Sequence, residues 1–322
     1  MGKARDYIPA LKFGHKIYPE DLAGMLGIPH VGNVWYVDGT GGSDTANSGT
    51  TQDDALATVY AAEEKCVSGQ HDVVIIAPTG GTGRTSETKS IVWDKRFTHL
   101  IGSTAPVGVD NRAGMSFSSA ATTPSLTISN NGCIFKNLTI AQFNDVNVMV
   151  SLTGNQNYFE NVHFAGIGNA TAGADTAARC VELEGAEENL FQSCVFGLDT
   201  VARSAANASV SQGGVSPRNV YRDCDFNLFT SSADAFHFMV ENNDAVQRYV
   251  KFIGCRFHNP DTASSTTLTA NMNMFGVGLN GTVYLIDCWS KGATDWADSF
   301  THLFLNMPLA DTDEGGLMKI GT

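Results

Sequence analysis

Six segments of this chain carry one pattern, and that pattern leaves few folds open. CIFKNLTI (133–140), NYFENVHF (157–164), NLFQSCVF (189–196), NVYRDCDF (219–226) and VKFIGCRF (250–257) each place a ring two residues before a small polar residue or glycine. An apolar residue follows, and two residues further on comes another ring or an isoleucine. VYLIDCWS (283–290) is a weaker copy. The small positions 137, 161, 193, 223, 254 and 287 lie 24, 32, 30, 31 and 33 residues apart. Repeats of that period mark units that cannot bury their apolar face alone and must stack on their neighbours.

The alternation within each copy says how they stack. Side chains of a strand point alternately to its two faces, so Phe159 points in and Glu160 out. The small residue then bends the chain, after which Val162 and Phe164 point in and His163 out. Coils stacked ~4.8 Å apart align equal positions into columns inside a tube. One column is Phe135, Phe159, Phe191, Tyr221, Phe252 and Leu285; another is Leu138, Val162, Cys194, Cys224, Cys255 and Cys288. The bend residues Asn137, Asn161, Ser193 and Asp223 are placed for a side-chain ladder. The expected fold is all-β: a right-handed parallel β-helix, a single-stranded solenoid with an N-terminal capping helix and an extended N-terminal arm.

A second strand family precedes these copies: Val150 to Gly154, Val181 to Gly185, Phe238 to Asn242 and Val277 to Gly281. Stretches at 165–179, 198–217 and 258–273, rich in Ala, Ser, Thr, Gly and Asn, read as projecting loops. Ahead of the coils, a Gly-Ser-Asp loop ends at Asp44, and a helix is expected near 51–66. Thr51 is its N-cap, Asp53 and Asp54 sit in its first turn, and Leu56, Val59, Tyr60 and Cys66 form one face. The apolar strand DVVIIA (72–77) comes next. Residues 34–322 form the β-helix domain, with an end cover near 296–322. Residues 1–33 form a separate arm.

The loop, the amphipathic helix and the strand ending near Ala-Pro, in that order, resemble the start of pectate-lyase-like β-helix proteins, and the likeness runs over about 34–295. It implies the fold; the fold itself hosts lyases, hydrolases and inert structural proteins. Pectate lyases bind Ca²⁺ through an aspartate cluster and use a basic residue as proton acceptor. Lys136, Lys251 and Lys291, the lysines between 120 and 300, all lie in or beside strand repeats. The polygalacturonase-type motifs are absent from the coils. An enzyme of either kind is therefore not expected, and no cofactor or metal is assigned.

Three carboxylates are the weak catalytic candidates. Glu184 and Glu241 fall in one outward column, separated by a coil carrying Ser209 and Ser211, and Glu182 shares the face of Glu184. Two coil spacings give ~9–10 Å, near the upper limit for an inverting glycosidase pair. A solvated acidic strand face is the plainer reading. The glycine-rich run at 79–85 has Arg84 where a phosphate loop has lysine, and strand-like residues follow it where that loop opens a helix. Seven cysteines fit small buried core residues; parallel side chains in a column converge on no metal.

The net charge of -13, with only 16% charged residues, opposes binding to nucleic acid. No apolar run suits a membrane span or a signal peptide, so the chain is expected to be made and kept in a cytosol. The arm carries Tyr7, Leu11, Phe13, Ile17, Tyr18, Leu22 and Leu26 without a clean period. It is too apolar for a solvated tail, so it either docks on another protein or packs along its own solenoid. With the Gly-Ser-Asp lead-in and the coils at 155–161 and 188–199, the chain resembles β-helix proteins encoded among tailed-bacteriophage structural genes. That resemblance implies a virion protein, a capsid decoration or cement protein on the head, meeting the major capsid protein or other virion proteins through the arm. Tailspikes of this fold carry longer chains and a trimerisation unit, which favours the head. A carbohydrate-active β-helix protein such as a small tailspike is the alternative, and self-association and a surface glycan stay open as further contacts.

Overall fold

The computed structural model describes residues 23–24, 26–28, 31–81, 83–110, 113–119, 123–260, 264–274 and 279–306. The chain is a right-handed parallel β-helix: every registered strand pair is parallel, and successive coils add to the same sheets. One sheet runs from Val34–Val37 to Leu303–Leu305 and includes a second flank beyond the bend, from Val195–Phe196 to Trp289–Lys291. A second sheet stacks eight strands, from Ile91–Trp93 to Ala293–Ala297, and Ala202–Arg203 pairs with Phe229–Thr230 in a small third.

The inward columns form as the repeat requires. Phe135, Phe159, Phe191, Tyr221, Phe252 and Leu285 are in register and buried. Their rings stack in sequence at 5.1, 4.7, 4.8 and 4.8 Å between centroids. A second pile, Phe164, Phe196, Phe226 and Phe257, stacks beside it at 5.1, 4.8 and 4.8 Å, with edge-to-face contacts between the two. The bend residues are left-handed: φ is 58° at Asn137, 51° at Asn161, 52° at Ser193, Asp223 and Asp287, and 63° at Gly254. Asn, Asp and Gly tolerate that region best, which explains the small polar residue in each copy.

The ladder expected at the bend is only partial. Asn161 Nδ2 donates to Asn137 Oδ1 at 2.8 Å, but Asp223 takes its bond from Gln192. A continuous ladder stands instead at the head of the repeat. The Oδ1 atoms of Asn157, Asn189 and Asn219 accept from the backbone N–H of Cys133, Asn157 and Asn189 at 2.8, 2.9 and 2.9 Å. All three asparagines are buried, so each amide satisfies a backbone donor that water cannot reach.

The cysteine column is a thiol ladder. Cys194, Cys224, Cys255 and Cys288 donate to the carbonyls of Phe159, Phe191, Tyr221 and Phe252, one coil back, at 3.4–3.5 Å. All seven cysteines are buried and free. Alkylation in denaturant without reductant should therefore label seven thiols per chain by mass; a chain with blocked pairs would contradict the column geometry.

Several sequence expectations need correction. The capping helix is Val59–Lys65, capped by Thr58, and Thr51 makes no side-chain cap. Gln52–Asp54 is a separate 3-10 turn, and Leu56 bridges to Val37. The helix start is fixed from far along the chain: buried Glu87 accepts from the N–H of Val59 at 2.8 Å and of Tyr60 at 3.3 Å. The stretches read as loops contain sheet strands, Ala208–Gly213 and Leu268–Asn273, and a short helix, Ala170–Gly173. Val277 lies outside the described residues, and the position in register with Phe238 belongs to Met272. Leu303–Leu305 is one more rung, paired with Thr282–Ile286; the rest of the end cover expected near 296–322 lies beyond residue 306, outside the described residues. His163 points outward but is covered, accepting from Asp110 N and bonded to Gly197 O. The glycine-rich run leads into the strand Arg84–Glu87, and Arg84 pairs with Asp110.

The arm is shorter than expected at its inner end. Leu26 and Val31 pack, with Val34 and Tyr36, against Val73, Ile75, Ala77 and Ile101 on the outside of the first sheet. Leu26 therefore belongs to the solenoid and leaves the set of docking residues. Tyr7, Leu11, Phe13, Ile17, Tyr18 and Leu22 lie outside the described residues. Among the described residues, no helix is long and apolar enough to cross a membrane.

Candidate functional site

The three candidate carboxylates share the outer face of the second sheet. In the strand Arg179–Glu184, Val181 and Leu183 point into the core, which turns Glu182 and Glu184 outward. Glu182 is in register with Ser211, and Ser211 with Met239. Glu184 is in register with Gly213; because Gln212 pairs with Val240, Glu241 follows in the same column. The rung between Glu184 and Glu241 is thus Gly213. Ser211 lies in the column of Glu182, and Ser209 bonds to Arg203.

Gly213 decides how the pair sits. A Cβ there would fall 2.2 Å from Glu184 Oε2 and 3.6 Å from Glu241 Cβ. The Glu184 carboxylate occupies the space that any other residue at 213 would fill, and so leans along the column toward Glu241.

A residue not anticipated from the sequence completes the group. Arg179, nearly buried, reaches across two rungs to Glu241, with Nη2 and Nε at 2.7 and 3.1 Å from Oε1. Its Nη1 donates to the carbonyls of Thr176 and Ala178, and its Nη2 lies 3.0 Å from Met239 Sδ. In sequence Arg179 merely opens a strand. Its role depends on a partner 62 residues away, which only the coil register supplies.

Burial pushes the Glu182 carboxyl up; Arg179 pulls it down, and Glu184 and Glu241 add to the rise. A carboxyl held toward its neutral form beside two further carboxylates is an arrangement suited to general acid–base work. Elsewhere several outward charges are tied across coils. Lys136 bonds Glu160 at 2.7 Å, Arg218 bonds Glu187 and Glu188 at 2.8 and 2.7 Å, and Arg256 pairs with Asp225. Among the described residues, no three His, Cys, Asp or Glu side chains converge as a metal centre requires.

No family model matches the chain, and no curated protein matches it in sequence. Solved structures do match in shape. The pectate lyase Pel9A aligns with 85% of this chain and 68% of its own, at 15% identity and a TM-score of 0.56. A pectin methylesterase D178A mutant in complex with a hexasaccharide aligns with 88% of this chain and 86% of its own, at 13% identity and TM-score 0.50. ORF18 of Geobacillus virus E2 aligns at TM-score 0.49 and 15% identity over 85% of this chain and 52% of its own, too loosely to bear on function. Pel9A and the methylesterase show that the chain has the pectate-lyase-like parallel β-helix fold. At these identities they establish the fold alone.

Proposed function

We propose that this chain is a structural protein of a tailed-bacteriophage particle, a solenoid that decorates the head and is anchored to capsid protein through its N-terminal residues. The observation that carries the reading is the pairing of outward carboxylates with basic side chains on other coils, at Glu160, Glu187, Glu188, Asp225 and Glu241. Such surface pairs each add little to stability, but they tie coils to one another. Groups so engaged suit a stiff shaft better than an open catalytic groove. The acidic body and the apolar run before residue 23 divide the labour: the shaft stays soluble and the run binds. The protein is then made in the host cytoplasm and carried on the virion. Mass spectrometry of purified particles tests this directly: peptides of this chain should be present at a fixed ratio to capsid protein after high-salt washing. Their absence from particles made by cells that express the chain would overturn it.

A second reading is favoured by one observation, the leaning of Glu184 over Gly213 toward Glu241 beside the upward-shifted Glu182. On this reading the outer face cleaves or binds a polysaccharide. Purified protein should then depolymerise at least one member of a panel of bacterial and plant glycans, and Glu184→Gln with Glu241→Gln should reduce the rate at least ~100-fold with the fold intact. No cleavage by the parent protein across the panel would remove the hydrolytic form of this reading.

A further inference from the structure

A polar cleft of about 280 Å³ opens where the chain enters three successive strands of the second sheet, Leu126–Ile128, Val148–Leu152 and Arg179–Glu184. Thr123, Asp145, Val146, Asn147, Thr171 and Asp175 line it, and each precedes one of those strands. It therefore lies at the opposite strand ends from Glu184.

The hydrogen bonding of the cleft is half used. Asp175 is held by Asn147 Nδ2 at 2.9 Å and by Ala177 N at 2.8 Å, and its carbonyl accepts from Asn207 of the next coil. The Thr171 N–H is taken by Asn169 Oδ1. Those bonds fix the walls. Among the described residues, nothing bonds the Asp145 carboxylate or the hydroxyls of Thr123 and Thr171, while buried Val146 gives an apolar floor. A carboxylate, two hydroxyls and an amide around one small apolar patch form a set that takes adjacent hydroxyls on a carbon ring. The volume is at the small end for ligand pockets, ~300–1,000 Å³, enough for one ring and not for an extended oligosaccharide.

Charge narrows the class. Among the described residues no Lys or Arg lines the cleft, and its two carboxylates sit on a chain of net charge -13. A uronate would meet repulsion without a counter-charge. We propose that this cleft binds a single neutral sugar ring, a terminal hexose of a surface glycan, and that it rejects acidic sugars. The site is independent of the Glu184 face, so failure of either leaves the other standing.

The test is saturation-transfer NMR on the full chain with methyl glycosides of glucose, galactose, mannose and rhamnose, with galacturonate, and with CaCl₂ as a competitor. At least one neutral glycoside should give saturable transfer. Thr171→Phe, which fills the cleft, and Asp145→Ala, at an exposed position, should each weaken it more than tenfold with unchanged thermal unfolding. No transfer from any neutral glycoside at up to about 100 mM would overturn the proposal. So would tighter binding of galacturonate, full displacement by calcium, or equal binding by both variants.

Discussion

Acidification from pH 7 to about 4.5 should strip this solenoid of several kcal/mol of stability through its buried histidines. His99 and His237 are buried, and burial depresses each to about 3 from the ordinary 6.5; His163 is lowered by the same cause. For His99 the geometry shows why a proton is unwelcome. Its Nδ1 accepts from Ile134 N at 3.1 Å, so its Nε2 carries the hydrogen and faces His71 Nδ1 at 3.2 Å. A second proton would destroy the bond from Ile134. His237 is fully buried and lies edge-on to Phe257, its proton opposed by desolvation. Because the folded pKa values lie below the unfolded one, the unfolded chain binds more protons between pH 6.5 and 3. Stability is full above pH 6.5 and falls as pH drops, by up to ~1.4 kcal/mol per pH unit per histidine, or roughly 2–3 kcal/mol each by pH 4.5. Urea midpoints at pH 7, 5.5 and 4.5 measure it, and His237→Phe should flatten the slope by the share of one histidine. A midpoint independent of pH over that range would mean that these rings are not buried neutral in the fold.

Phe191→Ala should be the most damaging single truncation in the aromatic column. The ring is buried, stacks on Phe159 and Tyr221 at 4.7 and 4.8 Å, and meets Phe196 edge-on at 5.5 Å. Coils above and below hold their spacing through backbone ladders, so the space cannot collapse and the loss should approach ~3–5 kcal/mol. Gln192→Ala, one residue on and outward, should cost under ~0.5 kcal/mol. Thermal or urea unfolding of both compares them. Equal losses would mean that the inward and outward assignments are mistaken.

The inward columns were legible because two constraints coincide in every copy: alternation around the bend, and a residue able to hold φ near +50°. The second sheet was only half legible. Its strand Ala208–Gly213 is Ala-Ser-Val-Ser-Gln-Gly, with no apolar alternation, yet every residue is buried. Neighbouring coils and Arg179 cover it, and its own composition gives no sign of that. The helix start was misplaced for a related reason. Asp53 and Asp54 look like first-turn acids, whereas the carboxylate that meets the helix N–H groups is Glu87, from the next coil. Glu184 and Glu241 were placed in one column from the alignment of their strands. Gly213 and Arg179, which determine what those carboxylates can do, follow only from the register.

The residues before the solenoid are proposed to hold it to a particle. Leu26 and Val31 pack on the solenoid, so a cut after residue 22 removes the proposed anchor and leaves those contacts in place. Full-length protein and a form lacking residues 1–22 should be added to particles stripped of this chain and sedimented together. Both forms should fold with the same unfolding midpoint, and only the full-length protein should pellet with particles, saturably. Equal pelleting of the truncated form, or no pelleting of either, would contradict it.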